Sequence, residues 1–302
     1  MSTSQPATLT DADWNRLLAR INEQKCTPFL GAEASGGILP RRSEMAGRWA
    51  TELEFPFDDT RDLARVAQFM ATEQDEEAPR EKIRSEIEGL TPPDFLADDE
   101  PHGVLADLPL PIYITTDYHD YMFRALKSRN RDARQEICRW NELLTNEQSA
   151  FDSDFLPDVA NPVVYHLHGR TGITESLVLT EDDYFDFLVA TSKEPNPIPP
   201  RIQQSFTHAS LLFLGYRLTD LEFRVLLRSL KRPLKLNPRR HISAQVVGDE
   251  PASDAELARL AKVQNYLSGY CKSFQITTYW GTTRQFLLEL KQRWTAFSKN
   301  AR

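Results

Sequence analysis

Cysteine is scarce: the 302 residues hold three, Cys26, Cys138 and Cys271, far apart and without a Cys-x-x-Cys pair. That spacing excludes the usual signature of a structural zinc site and argues against a disulfide framework. Long hydrophobic runs are also lacking. The longest, such as Ser210-Leu-Leu-Phe-Leu-Gly215, fall far below the ~20 residues a membrane helix needs. The first residues, Met-Ser-Thr-Ser-Gln-Pro, carry no basic region followed by an apolar one, so no secretory signal is read and the cytoplasm is the expected compartment. An excess of basic charge is missing too: 36 Lys and Arg stand against 44 Asp and Glu, a formal net charge of −8. Such a chain is repelled by a polyphosphate backbone, so direct nucleic-acid binding is not expected. The one basic stretch, Arg228 to Arg240, reads as a solvated helix end and loop.

What is present is ordinary globular material, 40% hydrophobic and 26% charged, long enough for one large domain or two small ones. Five apolar runs read as strands: 27–30, 111–115, 162–167, 210–214 and 242–247, with a last strand at 274–279. Most are continuous rather than alternating, as in strands covered on both faces of a parallel sheet. Helical patterns separate them, at 118–127, 182–189 and 221–230. Strand alternating with helix predicts an α/β fold: an open, mostly parallel sheet with helices on both faces. Residues 1–24 are expected to hold an N-terminal helix, opened by a Thr10/Asp13 cap, and 25–250 the main domain. Charge-rich residues 41–107, with helices near 45–53, 63–71 and 80–87, read as an inserted helical layer, and 251–302 as a C-terminal extension packed on the same domain and ending in a helix.

In an open α/β sheet, ligands bind beyond the carboxyl ends of the strands. Four such ends have unusual composition. Gly31, Ala32, Glu33, Ala34 and Ser35 form a small-residue loop whose backbone can approach a phosphate. Thr115, Thr116, Asp117 and Asp120 follow the second run, and could orient a ribose or simply cap a helix. His166, His168 and Gly169 close the third; histidines two apart on a strand face opposite ways, and His168 at the end is the better acid/base candidate. Gly215 and Tyr216 end the fourth, before a Thr219/Glu222 capping box.

Taken in order, the strings Pro-Phe-Leu-Gly-Ala-x-Ala-Ser, Ile-Thr-Thr-x-Tyr, His-Leu-His-Gly and Leu-Phe-Leu-Gly-Tyr-x-Leu-Thr-Asp-x-x-Phe-Arg resemble the bacterial Sir2-like domain, a relative of the sirtuins, over roughly residues 25–232. The resemblance implies a Rossmann-like NAD-binding fold. It also implies NAD+ hydrolysis to nicotinamide and ADP-ribose, as in family members without the sirtuin zinc module, many of which are NAD-depleting effectors of antiphage defence. On that basis Gly31 to Ser35 meet the diphosphate, Gly215 and Tyr216 hold the adenosine half, and His168 is the catalytic base with Asp117 beside the nicotinamide ribose. NAD+ is then a substrate, no metal is expected, and activation would come from homo-oligomerisation or a separate sensor subunit.

Two positions depart from the family: Asp117 replaces its asparagine and Glu33 its glycine. A carboxylate at 117 can stabilise a developing positive ribose. Glu33 would repel a diphosphate unless it points away or pairs with Arg41 or Arg42. The rival expectation is therefore a weak or inactive NAD- or ADP-ribose-binding regulatory subunit. A protein deacylase is the third.

Overall fold

The computed structural model describes residues 9–35, 37–193, 196–217, 221–229, 240–245 and 254–300. In chain order these form α1 (Asp11–Asn22), β1 (Cys26–Leu30), α2 (Arg42–Glu52), α3 (Leu63–Glu73), α4 (Ala78–Glu88), α5 (Pro101–Ala106), β2 (Ile112–Thr115), α6 (Tyr121–Ser128), β3 (Arg134–Ile137), β4 (Val163–His166), α7 (Glu181–Ser192), α8 (Pro200–His208), β5 (Ser210–Leu214), α9 (Leu221–Ser229), β6 (His241–Gln245), α10 (Asp254–Lys272), β7 (Ile276–Trp280) and α11 (Thr283–Asn300).

The strands build one seven-stranded sheet in the order β3-β4-β2-β1-β5-β6-β7, every pair parallel. This is the open α/β sheet expected, with parallel pairing throughout. Its strands alternate between two cores. Leu30, Tyr113, Val164, Leu212 and Leu214 face the core of α1 to α6 and α11. Phe29, Ile114, Val163, Tyr165, Leu211 and Phe213 face the core of α7 to α10. Burial on both faces is why these strands are apolar at consecutive positions. β6 and β7 continue the same sheet, and α11 lays Phe286, Leu287 and Leu290 into the first core beside Trp14, whose ring stacks on Phe286 at 5.2 Å.

Helix starts follow local chemistry. Thr10 and Asp13 make a reciprocal cap for α1, and Thr180 and Asp183 another for α7, each satisfying amide groups that a helix start leaves open. β3, α5 and α8 lie outside the elements expected from sequence. β3 is Arg-Gln-Glu-Ile, a polar edge strand with no apolar run to betray it. α5 and α8 each open on proline, which suits a helix's first turn although it also punctuates loops. The Thr219/Glu222 pair, most of the basic stretch (230–239) and positions 246–247 of the fifth expected strand lie wholly or partly outside the described residues.

The topology places a site. β1 has β2 on one side and β5 on the other, so the chain's winding reverses beside it, and a crevice opens there at the carboxyl edge. The register puts the strand ends in a row, with Leu30 opposite Thr115 and Leu214, and Thr115 opposite His166. The loops that follow therefore emerge side by side.

Candidate active site

The β1 and β5 loops are fitted to each other. Gly31 N–H donates to Leu214 O (2.8 Å) and Glu33 N–H to Gly215 O (3.0 Å). A Cβ on Gly31 would lie 2.7 Å from the Tyr216 ring, and one on Gly215 would lie 2.7 Å from the Ala34 Cα, at a backbone φ of +75° that favours glycine. The missing side chain at Gly31 thus makes room for Tyr216. The short turn Ala32–Ser35 is tied down as well, with Ala34 N–H on Gly31 O and the buried Ser35 hydroxyl on Ala32 O. Several amides that the sequence offered to a phosphate are thus engaged within the loops, and the cationic groups at this edge are arginine side chains.

Tyr216 ties three strands together. Its hydroxyl donates to Leu30 O (3.0 Å) and stands 2.8 Å from Thr116 Oγ1, while Thr116 N–H donates to the same Leu30 carbonyl. On the far side, Gly215 N–H donates to Thr283 Oγ1 at the start of α11 (3.1 Å). A cavity of about 260 Å³ lies over this knot, lined by Ala32, Glu33, Thr116, Gly215 and Tyr216 and by the side chains of Arg41, Arg42, Arg61 and Arg217. Glu33 points into it and is held by Arg217 (2.7 Å) and Arg41 (3.7 Å). The expected arginine pairing is met by Arg41, with Arg217 as the closer partner.

Arg42 opens α2, beside the β1 loop. It donates to Thr116 O (2.9 Å) and to the Tyr184 hydroxyl on α7 (2.9 Å), and its guanidinium lies 4.8 Å over the Tyr118 ring. Two consecutive arginines at a helix start oppose the helix dipole. That is the signal by which the sequence could have marked Arg41 and Arg42 as facing an anion.

Asp117 and His168 sit deeper, each 5% exposed. Asp117 N–H donates to Thr115 Oγ1, and its own carboxylate accepts from Tyr118 N–H (2.9 Å). His119 Nε2 is 2.9 Å from Asp117 Oδ2. Because His119 Nδ1 accepts from Tyr121 N–H (3.1 Å), the ring proton belongs on Nε2, facing the carboxylate. Burial pushes the Asp117 carboxyl up, but His119, Arg42 and the Tyr118 amide outweigh it and hold the group at about 2. His168 packs edge-on against Phe187 (5.0 Å) and Tyr184 (5.5 Å) of α7. Its Nδ1 is buried with no hydrogen-bond partner among the described residues, and burial, then Arg42, lower its pKa to about 3. His166 turns elsewhere, with Nε2 3.1 Å from Gln135 Oε1.

Gly31, Ala32, Glu33, Ala34, Ser35, Thr115, Thr116, Asp117, His168, Gly169, Gly215 and Tyr216 are thus gathered at one edge, Gly169 turning the chain beyond His168 against Ser176. Asp120 stands apart: it flanks α6, half exposed, 3.9 Å from Arg124. Arg42, Arg61, Tyr184, Arg217, His119 and Thr283 were not among the expected site residues. No group of three His, Cys, Asp or Glu among the described residues is placed to hold a metal ion.

The SIR2-like domain profile matches residues 111–267, just over half of the chain. The chain belongs to the SIR2-like domain family. Curated relatives include the NAD(+) hydrolase ThsA of Acinetobacter baumannii (strain 532279), 23% identical over 230 residues that make up 75% of this chain and 43% of that protein. Those of Enterococcus faecium (26% over 195 residues; 64% of this chain, 37% of that one) and Bacillus cereus strain MSX-D12 (23% over 225; 73% and 43%) are similar. This SIR2-like chain spans less than half the length of these relatives. No helix among its described residues is long and apolar enough to cross a membrane.

Proposed function

We propose that this SIR2-like domain is an NAD+ glycohydrolase, releasing nicotinamide and ADP-ribose. One observation carries the reading: the register of β1, β2, β4 and β5 brings the small-residue loop, Asp117, His168 and Tyr216 to a single edge beside an arginine-lined cavity. The names of the curated relatives support it. Arginines suit a diphosphate because their planar fork pairs with phosphate oxygens. As the ribose–nicotinamide bond breaks, its electron pair leaves with nicotinamide, which departs neutral, and positive charge develops on the ribose, as in other glycosyl transfers. The ionised Asp117 carboxylate stabilises that charge. Water then adds to the ribose carbon and passes its proton to His168, which is neutral at pH 7 and free to accept it at Nδ1.

In this reading the protein works in the cytoplasm, as NAD-depleting effectors of antiphage defence do, and self-association or a partner subunit sets its activity. The free, buried cysteines are in keeping with a reducing compartment. A second reading, an NAD- or ADP-ribose-binding subunit with little turnover, draws on Glu33, whose carboxylate already engages Arg217 and Arg41 within the cavity. Nicotinamide release from NAD+ separates the two. The wild type should release it and His168→Ala should not, with binding retained in both. Equal release by both proteins removes His168 from the chemistry, and binding without release by either favours the second reading.

A further inference from the structure

Asp117 stands where the family carries a neutral asparagine, so the protein has to hold a charge in a buried place. A buried carboxylate is costly unless it is paired and hydrogen-bonded. Its Oδ1 accepts from Tyr118 N–H (2.9 Å). Its Oδ2 lies 2.9 Å from His119 Nε2, and neither of these two atoms has another hydrogen-bond partner among the described residues. His119 is itself fixed from three sides. Its Nδ1 accepts from Tyr121 N–H (3.1 Å), an amide at the start of α6 where the cap residue, Asp120, makes no side-chain bond. Its ring stacks on that of Tyr121 at 4.0 Å, and the His102 ring, whose Nδ1 is 2.9 Å from Glu100 Oε1, meets it edge-on at 5.5 Å. With Nδ1 engaged as an acceptor, a neutral ring offers its proton from Nε2, toward Asp117.

We infer that His119 is a positioning residue for this reaction: its Nε2–H keeps Asp117 ionised and oriented toward the reacting ribose. This rests on the NAD+ hydrolase reading and adds a residue to it. The two ring nitrogens have separate tasks, Nδ1 capping α6 and Nε2 serving the carboxylate. Burial pushes the Asp117 carboxyl up, and His119 comes first among the groups that bring it down, ahead of Arg42 and the Tyr118 amide. Without that donor the carboxyl takes up a proton more readily or turns to another partner. Either way, less fixed negative charge faces the positive charge that develops on the ribose.

Two amide variants of the full chain separate the tasks. In His119→Asn the side-chain oxygen can replace Nδ1 as the acceptor for Tyr121 N–H, but nothing reaches Asp117. In His119→Gln the side-chain nitrogen can replace Nε2 as donor, and the helix cap is lost. His119→Asn should melt close to wild type and lower kcat for nicotinamide release by about a hundredfold, with KM little moved. His119→Gln should melt lower and keep most of the release. Asp117→Asn/His119→Asn should lose no more than Asp117→Asn alone. Release by His119→Asn equal to wild type, equal losses in both amide variants, or a further loss in the double variant each overturns the inference and leaves the hydrolase reading intact. If no protein releases nicotinamide, or Asp117→Asn is as active as wild type, the earlier reading fails on its own. The pair is then judged by the carbon-13 carboxyl signal of Asp117, identified by its loss in Asp117→Asn. A signal that titrates at higher pH in His119→Asn but not in His119→Gln upholds the positioning, and one unmoved in His119→Asn overturns it. Should His119→Asn fail to fold, His119→Gln decides: release or a carboxyl titration close to wild type upholds it, and loss of both overturns it.

Discussion

Replacing Gly215 by alanine tests whether the β1 and β5 loops are locked as described. The new Cβ would lie 2.7 Å from both the Ala34 Cα and the Glu33 carbonyl carbon, contacts that real Cβ atoms do not make. These are backbone atoms, anchored by Glu33 N–H on Gly215 O and Gly31 N–H on Leu214 O, so the clash is relieved only by parting the loops. Alanine at φ +75° adds strain of about 1–2 kcal/mol, and overpacking typically costs about 1–3 kcal/mol more. A total of about 2–5 kcal/mol corresponds to a melting temperature roughly 5–15 °C lower for a chain of this size. Gly31→Ala should behave differently, because its Cβ meets the Tyr216 ring at 2.7 Å as well as the Gly215 carbonyl oxygen at 2.8 Å. Adding Tyr216→Ala should recover part of the Gly31→Ala loss and none of the Gly215→Ala loss. The measurement is thermal unfolding of the two single glycine variants, Tyr216→Ala and both doubles. A Gly215→Ala protein melting within about 2 °C of wild type would refute the lock, and an undiminished Gly31→Ala loss in the Tyr216→Ala background would refute the share assigned to the Tyr216 ring.

Thr283→Val leaves the buried Gly215 N–H without its acceptor and should cost about 1–3 kcal/mol in urea unfolding, with Thr283→Ser restoring most of it. Glu33→Gln frees Arg217 and Arg41 in the cavity; NAD+ should bind severalfold more tightly by calorimetry, and weaker binding would mean that the carboxylate assists the ligand. Stability should fall on mild acidification. Burial foremost lowers His166 and His168 to about 3 and His241 to about 4, from 6.5 when exposed. The unfolded chain therefore takes up protons first, and stability complete above pH 6.5 is lost below it at up to about 1.4 kcal/mol per pH unit for each histidine. Asp117, held at about 2 against 3.8, adds a loss only below about pH 4. A urea midpoint unchanged between pH 7 and 5 would contradict the burial of these imidazoles.

Much of the sheet was legible because burial on both faces leaves a mark that needs no partner to be read: Pro28-Phe-Leu30 and Leu211-Leu-Phe-Leu214 are apolar at every position. β3 left no such mark, since an edge strand can be polar, as Arg134, Gln135 and Glu136 are. The site's backbone was legible for a related reason. Gly31 and Gly215 stand directly after strands, and the parallel topology aligns strand ends whatever lies between them. Its side-chain contacts were not. Arg42 and Tyr184 meet across 142 positions of sequence, and nothing local to either announces the other. Asp120 is a different case: it follows the same strand end as Asp117, yet at the entry to α6 it lies half exposed, 3.9 Å from Arg124 and outside the cavity's lining.

The charge distribution gives the cavity a reason to attract an anion despite the chain's net charge of −8. Its lining carries four arginines, Arg41, Arg42, Arg61 and Arg217, against the carboxylates of Glu33, Asp59 and Asp62. A concave, locally positive patch in an acidic protein focuses the field, whereas the chain's net negative charge discourages long polyanions from settling on it. Glu33 occupies two of these cations with an internal carboxylate. An entering phosphate has to compete with it for Arg217 and Arg41. Binding is thus an exchange of one anion for another on the same arginines, and NAD+ affinity measured by calorimetry should fall as ionic strength rises; an affinity indifferent to salt would remove the arginines from the binding of the ligand.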